Sequence, residues 1–169
     1  MTRRVLSIAA ILITAVLLQS TVFAQLRLLG VRPELLFLVT IVIALLEGPT
    51  EGAVVGFLAG LAQDMFLDQP KGITALTLTL VGYGVGMARQ FIVSPSPLLP
   101  TIVVAIGTAV GMAFYEAVSF LLGSFSLPAG EGLRIALLTA LYNAVLTPIL
   151  YPLLRRIVEG SQPRRVVRF

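Results

Sequence analysis

The chain has neither cysteine nor histidine among its 169 residues, and only 12% of them are charged. Without those two residue types it forms no disulfide, no Cys/His zinc site, no Cys-based or Ser-His-Asp nucleophile and no histidine-ligated haem. Most enzyme classes fall away with them, and the sequence offers no catalytic, cofactor-binding or metal-ligating set. A charged fraction of about 25% is usual for soluble domains, so the deficit is itself informative. What replaces the charge is apolar: 57% of the residues are hydrophobic and mean hydropathy is +1.00, the composition of an integral membrane protein. The net charge of +4 comes mainly from arginines near helix ends, which act as orientation signals. No basic stripe or aromatic platform stands clear of the apolar runs, which argues against nucleic acid as a partner.

The apolar runs predict an all-α, single-domain bundle of six transmembrane helices over about 5–23, 35–47, 51–66, 72–88, 98–122 and 133–154. Arg3 and Arg4 before an apolar run, with Val22-Phe23-Ala24 after it, imitate a secretion signal. At roughly 28 Å the run is long enough to span, so we read it as a retained first helix. Pro33 and Glu34 suit the first turn of the second helix. Its apolar run, Leu35 to Leu46, at roughly 18 Å, is too short to cross alone and must borrow flanking residues, lie re-entrant, or be shielded by its neighbours. Thr50 is the expected cap of the third helix. Six crossings put the termini on one side with Arg3, Arg4, Arg89, Arg155, Arg156, Arg164, Arg165 and Arg168, against Arg27, Arg32, Lys71 and Arg134 on the other. The positive-inside rule then places both termini in the cytoplasm, Asp64 and Asp68 at the outer face, and Glu47 and Glu51 at the inner face.

The most informative stretch is GPTEGAVVGFLAGLAQDMFLDQPKG, residues 48–72. Gly48, Gly52, Gly56 and Gly60 recur at a four-residue step that continues to Asp64 and Asp68 and closes on Gly72. Small residues four apart let another helix approach the backbone, either within the bundle or from a partner. A four-residue step drifts by about 40° each time, so the row is expected to divide, Gly52 and Gly56 meeting one neighbour and Gly60 and Asp64 another. On the fifth helix Ala105, Ala109 and Ala113 form a second small-residue row, beside Gly107 and Gly111. Asp64 is expected to reach the interface, cap the next helix, or pair with Lys71. Glu116, beside Tyr115, stands out as the intramembrane charge, and Asn143 is expected to hydrogen-bond between helices. Pro148 and Pro152 would kink the last helix and open space for a neighbour. Gly82-Tyr83-Gly84-Val85-Gly86 imitates a phosphate loop but lacks the strand, turn and lysine.

The run from Gly52 through Gly56, Gly60, Asp64, Pro70 and Gly72, followed by a Thr- and Leu-rich helix ending in Gly82-Tyr83 and then Arg89, resembles the bacterial rod shape-determining MreD family over nearly the whole chain. The resemblance implies a non-catalytic scaffold of the bacterial inner membrane, part of the elongasome. It implies binding to MreC, and through MreC to the filament protein MreB, a RodA-type polymerase and a class B penicillin-binding protein. It also implies a fold similar to the substrate-binding component of energy-coupling-factor transporters. That similarity sets the alternative expectation, a small-ligand-binding transporter subunit with an outer pocket near Asp64, Tyr83 or Glu116.

Overall fold

A helix that is apolar all round has no face to give to a polar surface and must be enclosed. In the computed structural model of the chain, which describes residues 2–23, 30–66, 72–91, 96, 98–123 and 129–160, six α-helices follow one another. They are α1 (Thr2–Thr21), α2 (Leu35–Glu47), α3 (Pro49–Phe66), α4 (Ile73–Ala88), α5 (Leu99–Leu121) and α6 (Ala129–Gly160), with a 3₁₀ turn at Arg89–Phe91 after α4. The enclosed helix is α2, whose residues Leu35 to Leu45 are all buried. It packs against each of the other five, and these close a ring around it in the order α1, α3, α4, α5, α6 and back to α1.

The short second helix is therefore shielded rather than exposed. At roughly 20 Å it falls short of a hydrocarbon core of about 30 Å, and its ends are covered by longer neighbours. Gly48 makes the whole connection to α3: its φ of +108° suits glycine, and its N–H closes α2 on the Ala44 carbonyl at 2.9 Å. Pro49 then occupies the first position of α3, where its missing N–H costs nothing. Thr50 accordingly lies inside α3 and is not its cap, because glycine and proline have already made the turn.

The outside of the ring is apolar. Ile13, Phe57, Leu80, Ile106, Leu121, Val145 and Ile149 stand exposed, whereas Thr40, Thr77, Thr108, Asn143 and Thr147 are buried. An exposed apolar coat of this extent marks a surface that meets lipid. Leu99–Leu121 and Gly130–Gly160 are each long and apolar enough to cross a bilayer, and Val5–Thr21 and Leu35–Glu47 are shorter apolar helices. Several buried hydroxyls are satisfied within their own helix, Thr77 on the Ile73 carbonyl at 2.8 Å and Thr147 on that of Asn143 at 2.7 Å. The helix α6 runs unbroken through Pro148 and Pro152.

Candidate functional site

The glycine ladder is consumed inside the bundle. A methyl group placed on Gly52 would lie 2.6 Å from the Ala44 Cβ and from the Gly82 carbonyl oxygen, one on Gly56 would overlap the Leu78 carbonyl, and one on Gly60 would overlap Ala75. From the other side, Gly82 meets the Gly52 backbone and Gly86 meets Pro49. So α3 and α4 touch backbone to backbone along their length, and only glycine fits at these points. The expected division of the row does not occur: Gly52, Gly56 and Gly60 all face α4. A neighbour inclined to α3 follows the i, i+4 ridge and absorbs the drift that would turn the row away from a parallel one.

Of the roles open to Asp64, the structure shows the cap. Its buried carboxylate accepts the Gly72 N–H at 2.8 Å and the Ala75 N–H at 3.1 Å through Oδ2. An anion on the first free N–H groups of α4 also sits at the positive end of the helix dipole. Gly72, with φ at +109°, supplies the left-handed turn ahead of that helix. Asp68, Pro70 and Lys71 lie outside the described residues, as does Arg27.

A second buried acid is Glu34, whose place in the sequence marks only a helix start. It is 9% exposed, immediately before α2, and its carboxylate accepts N–H groups from Gln19 of α1 and from Gln63 of α3, the latter at 3.0 Å. The Arg32 Nε stands 3.7 Å away, and Gln19 returns a bond by accepting the Leu36 N–H at 3.2 Å. The Glu34 main-chain carbonyl accepts the Asn143 Nδ2 at 3.0 Å, and the same amide reaches the Thr108 Oγ1 on α5 at 3.2 Å. A buried carboxylate is costly unless hydrogen-bonded and paired, and here two carboxamides and a guanidinium meet that need. Side chains of α1, α3 and α6 thereby converge on the residue that opens α2, and Asn143 ties α5 to it. Glu116, by contrast, is half-buried and lies alongside Gly132 of α6. The signal that marks Glu34 is its place at the head of a run with no other polar residue than Thr40 up to Glu47, between spans that each carry one glutamine near the same end.

Small residues are left open elsewhere. Between α4 and α5 runs an apolar groove of about 400 Å³ whose floor includes Gly84, Ala88, Gly107 and Gly111. A methyl on Gly84 would meet nothing within 4 Å. The Ala105, Ala109 and Ala113 row does not line this groove: Ala105 and Ala109 are half-buried and Ala113 is exposed. Among the described residues no group of three or more Asp or Glu is placed to hold a metal ion.

Comparison with curated proteins gives no match, and comparison with solved structures gives none either. The family model of the rod shape-determining protein MreD, however, matches residues 2–158. That stretch contains the α3/α4 glycine seam, the Asp64 cap, the Glu34 node and almost all of α6. The chain thus belongs to the MreD rod shape-determining family, a non-catalytic membrane family that acts in cell shape.

Proposed function

We propose that the chain is a single transmembrane domain serving as a scaffold of the elongasome in the bacterial inner membrane. It binds the membrane helix of MreC and thereby helps couple MreB to a RodA-type polymerase and a class B penicillin-binding protein. The observation that carries this reading is the α4/α5 groove. A membrane helix approaches another closely where small residues expose its backbone, and Gly84 and Ala88 do so on the side of the groove that the bundle leaves uncovered, while Gly107 and Gly111 at its base are covered by Ile41 and Phe37 of α2. The α3 ladder is excluded as the docking face, because α4 already occupies it.

Orientation follows the arginines. The ends of α4 and α6, with Arg89, Arg155 and Arg156, lie with the start of α1, and on the positive-inside rule this end faces the cytoplasm. Arg32 and Arg134 mark the opposite end. The small-ligand alternative has less support: the Asp64 carboxylate is spent on α4, and none of Asp64, Tyr83 and Glu116 lines either of the two large apolar grooves. The likeness to the energy-coupling-factor component rests on the number of helices.

The test is Gly84→Leu, which fills the groove without striking the bundle. Loss of MreC co-purification and rounding of the cells, with the variant still inserted and monodisperse, is the expected outcome. Wild-type capture of MreC by this variant would sink the assignment.

A further inference from the structure

A second groove differs from the first in chemistry. It lies between α1 and α6 over α2, encloses about 600 Å³, and is walled by Leu18, Val22, Val39, Leu146, Ile149 and Leu153. It opens where α1 packs on its two ring neighbours more thinly than any other helix of the ring. No glycine lines it. A partner helix packs best where glycine exposes a backbone, whereas here the small Ser7, Ala10 and Thr14 of α1 face the branched Leu146, Ile149 and Leu153 of α6, a channel that suits a thin, flexible chain. The groove is graded along its length. Ser7 and Ile157 line one end, where Arg156 is exposed one turn past Leu153 and Arg155 is exposed and pairs with Glu159 at 2.7 Å. Phe23 and Leu35 line the other end.

The geometry points to a binding site for an anionic glycerophospholipid, with an acyl chain laid between α1 and α6 and the phosphate held by Arg156 at the basic end. Charge complementarity selects this occupant. Basic residues at the mouth of a pocket between membrane helices recognise anionic head groups, and with Glu159 engaged by Arg155 the exposed Arg156 is the cation that such a head group meets there. The site is separate from the α4/α5 groove and does not depend on the binding of MreC.

The experiment is native mass spectrometry of the full chain released from detergent after incubation with phosphatidylglycerol, with phosphatidylcholine and a polyprenyl phosphate in parallel arms. The wild type is expected to retain phosphatidylglycerol in preference to both. Arg156→Ala should weaken that retention about fivefold, the effect of removing one basic contact, while Arg156→Lys keeps most of it. Ala10→Phe, which fills the groove from an exposed position, should abolish it. Equal retention of phosphatidylcholine, indifference to both Arg156→Ala and Ala10→Phe, or preference for the polyprenyl phosphate would each overturn the proposal. Because residues 10 and 156 are exposed, both variants are expected to melt as the wild type does in phosphatidylcholine.

Discussion

The side-chain amide of Asn143 donates to the main-chain carbonyl of Glu34 at 3.0 Å, across 109 positions of sequence. Asn143 lies near the middle of α6, so this bond fixes the start of α2 inside the bundle rather than at its rim. The same amide nitrogen holds Thr108 of α5, and the Glu34 carboxylate holds α1 and α3. The central helix is thus positioned at its head by polar contacts and along its length by apolar packing.

Asn143→Ala removes both bonds. Interhelical hydrogen bonds in membranes contribute about 0.6 to 2 kcal/mol each, so a loss of about 1–4 kcal/mol is expected from unfolding titrations in mixed micelles. Asn143→Asp should cost more than the alanine, since it sets a carboxylate oxygen against the Glu34 carbonyl where a donor stood. If the aspartate variant proves as stable as wild type, Asn143 does not hold the head of α2.

Glu34→Leu strands the amide N–H groups of Gln19 and Gln63 in a buried site. Each unsatisfied group costs about 1–3 kcal/mol. Glu34→Gln keeps an acceptor oxygen for both carboxamides and sets an amide NH2 where a carboxylate oxygen faced Arg32, so it should be the milder of the two. Thermal unfolding of the pair measures the order, and an equal loss in both would show that charge, not hydrogen bonding, is what the node requires.

Composition alone made the all-helical class legible, since an apolar chain in lipid must satisfy its backbone internally. The glycine step announced a close helix crossing, and Asn143 announced a bond between helices. What the sequence hid was identity of partners. Gly52, Gly56 and Gly60 pointed to a neighbour, but that the neighbour is α4 depends on a crossing angle that no local pattern encodes. Glu34 looked like an ordinary first-turn acid because burial depends on α2 being central, and centrality is decided by five other helices. Glu116 drew attention by its long apolar surroundings, and it is half-buried alongside Gly132 of α6, a neighbour that no local pattern names.

Asp64→Ala should loosen the start of α4 without disturbing the glycine seam. A lost N-cap costs about 0.5–2 kcal/mol, and hydrogen exchange is expected to rise first at the amides of Gly72 and Ala75, the two that the carboxylate holds. Asp64→Asn keeps an acceptor and should lie between. Unchanged protection at both amides in the alanine variant would contradict the capping role.

Gly56 and Gly84 set packing against propensity on neighbouring helices. A methyl on Gly56 runs into the Leu78 carbonyl, a backbone atom of α4 that can yield only if the helix moves. Overpacking of this kind costs about 1–3 kcal/mol. A methyl on Gly84 meets nothing within 4 Å and replaces the poorest ordinary helix former with the best, a gain of up to about 1 kcal/mol. Alanine should therefore destabilise at position 56 and leave stability unchanged or raised at position 84, in the same detergent and by the same unfolding assay. Opposite signs for two identical substitutions would separate the glycines that build the bundle from the one that the bundle leaves for contact with something else. A loss of stability in Gly84→Ala comparable to that in Gly56→Ala would mean that the α4/α5 groove is part of the fold's own packing, and the docking surface would have to be sought on another face of the ring.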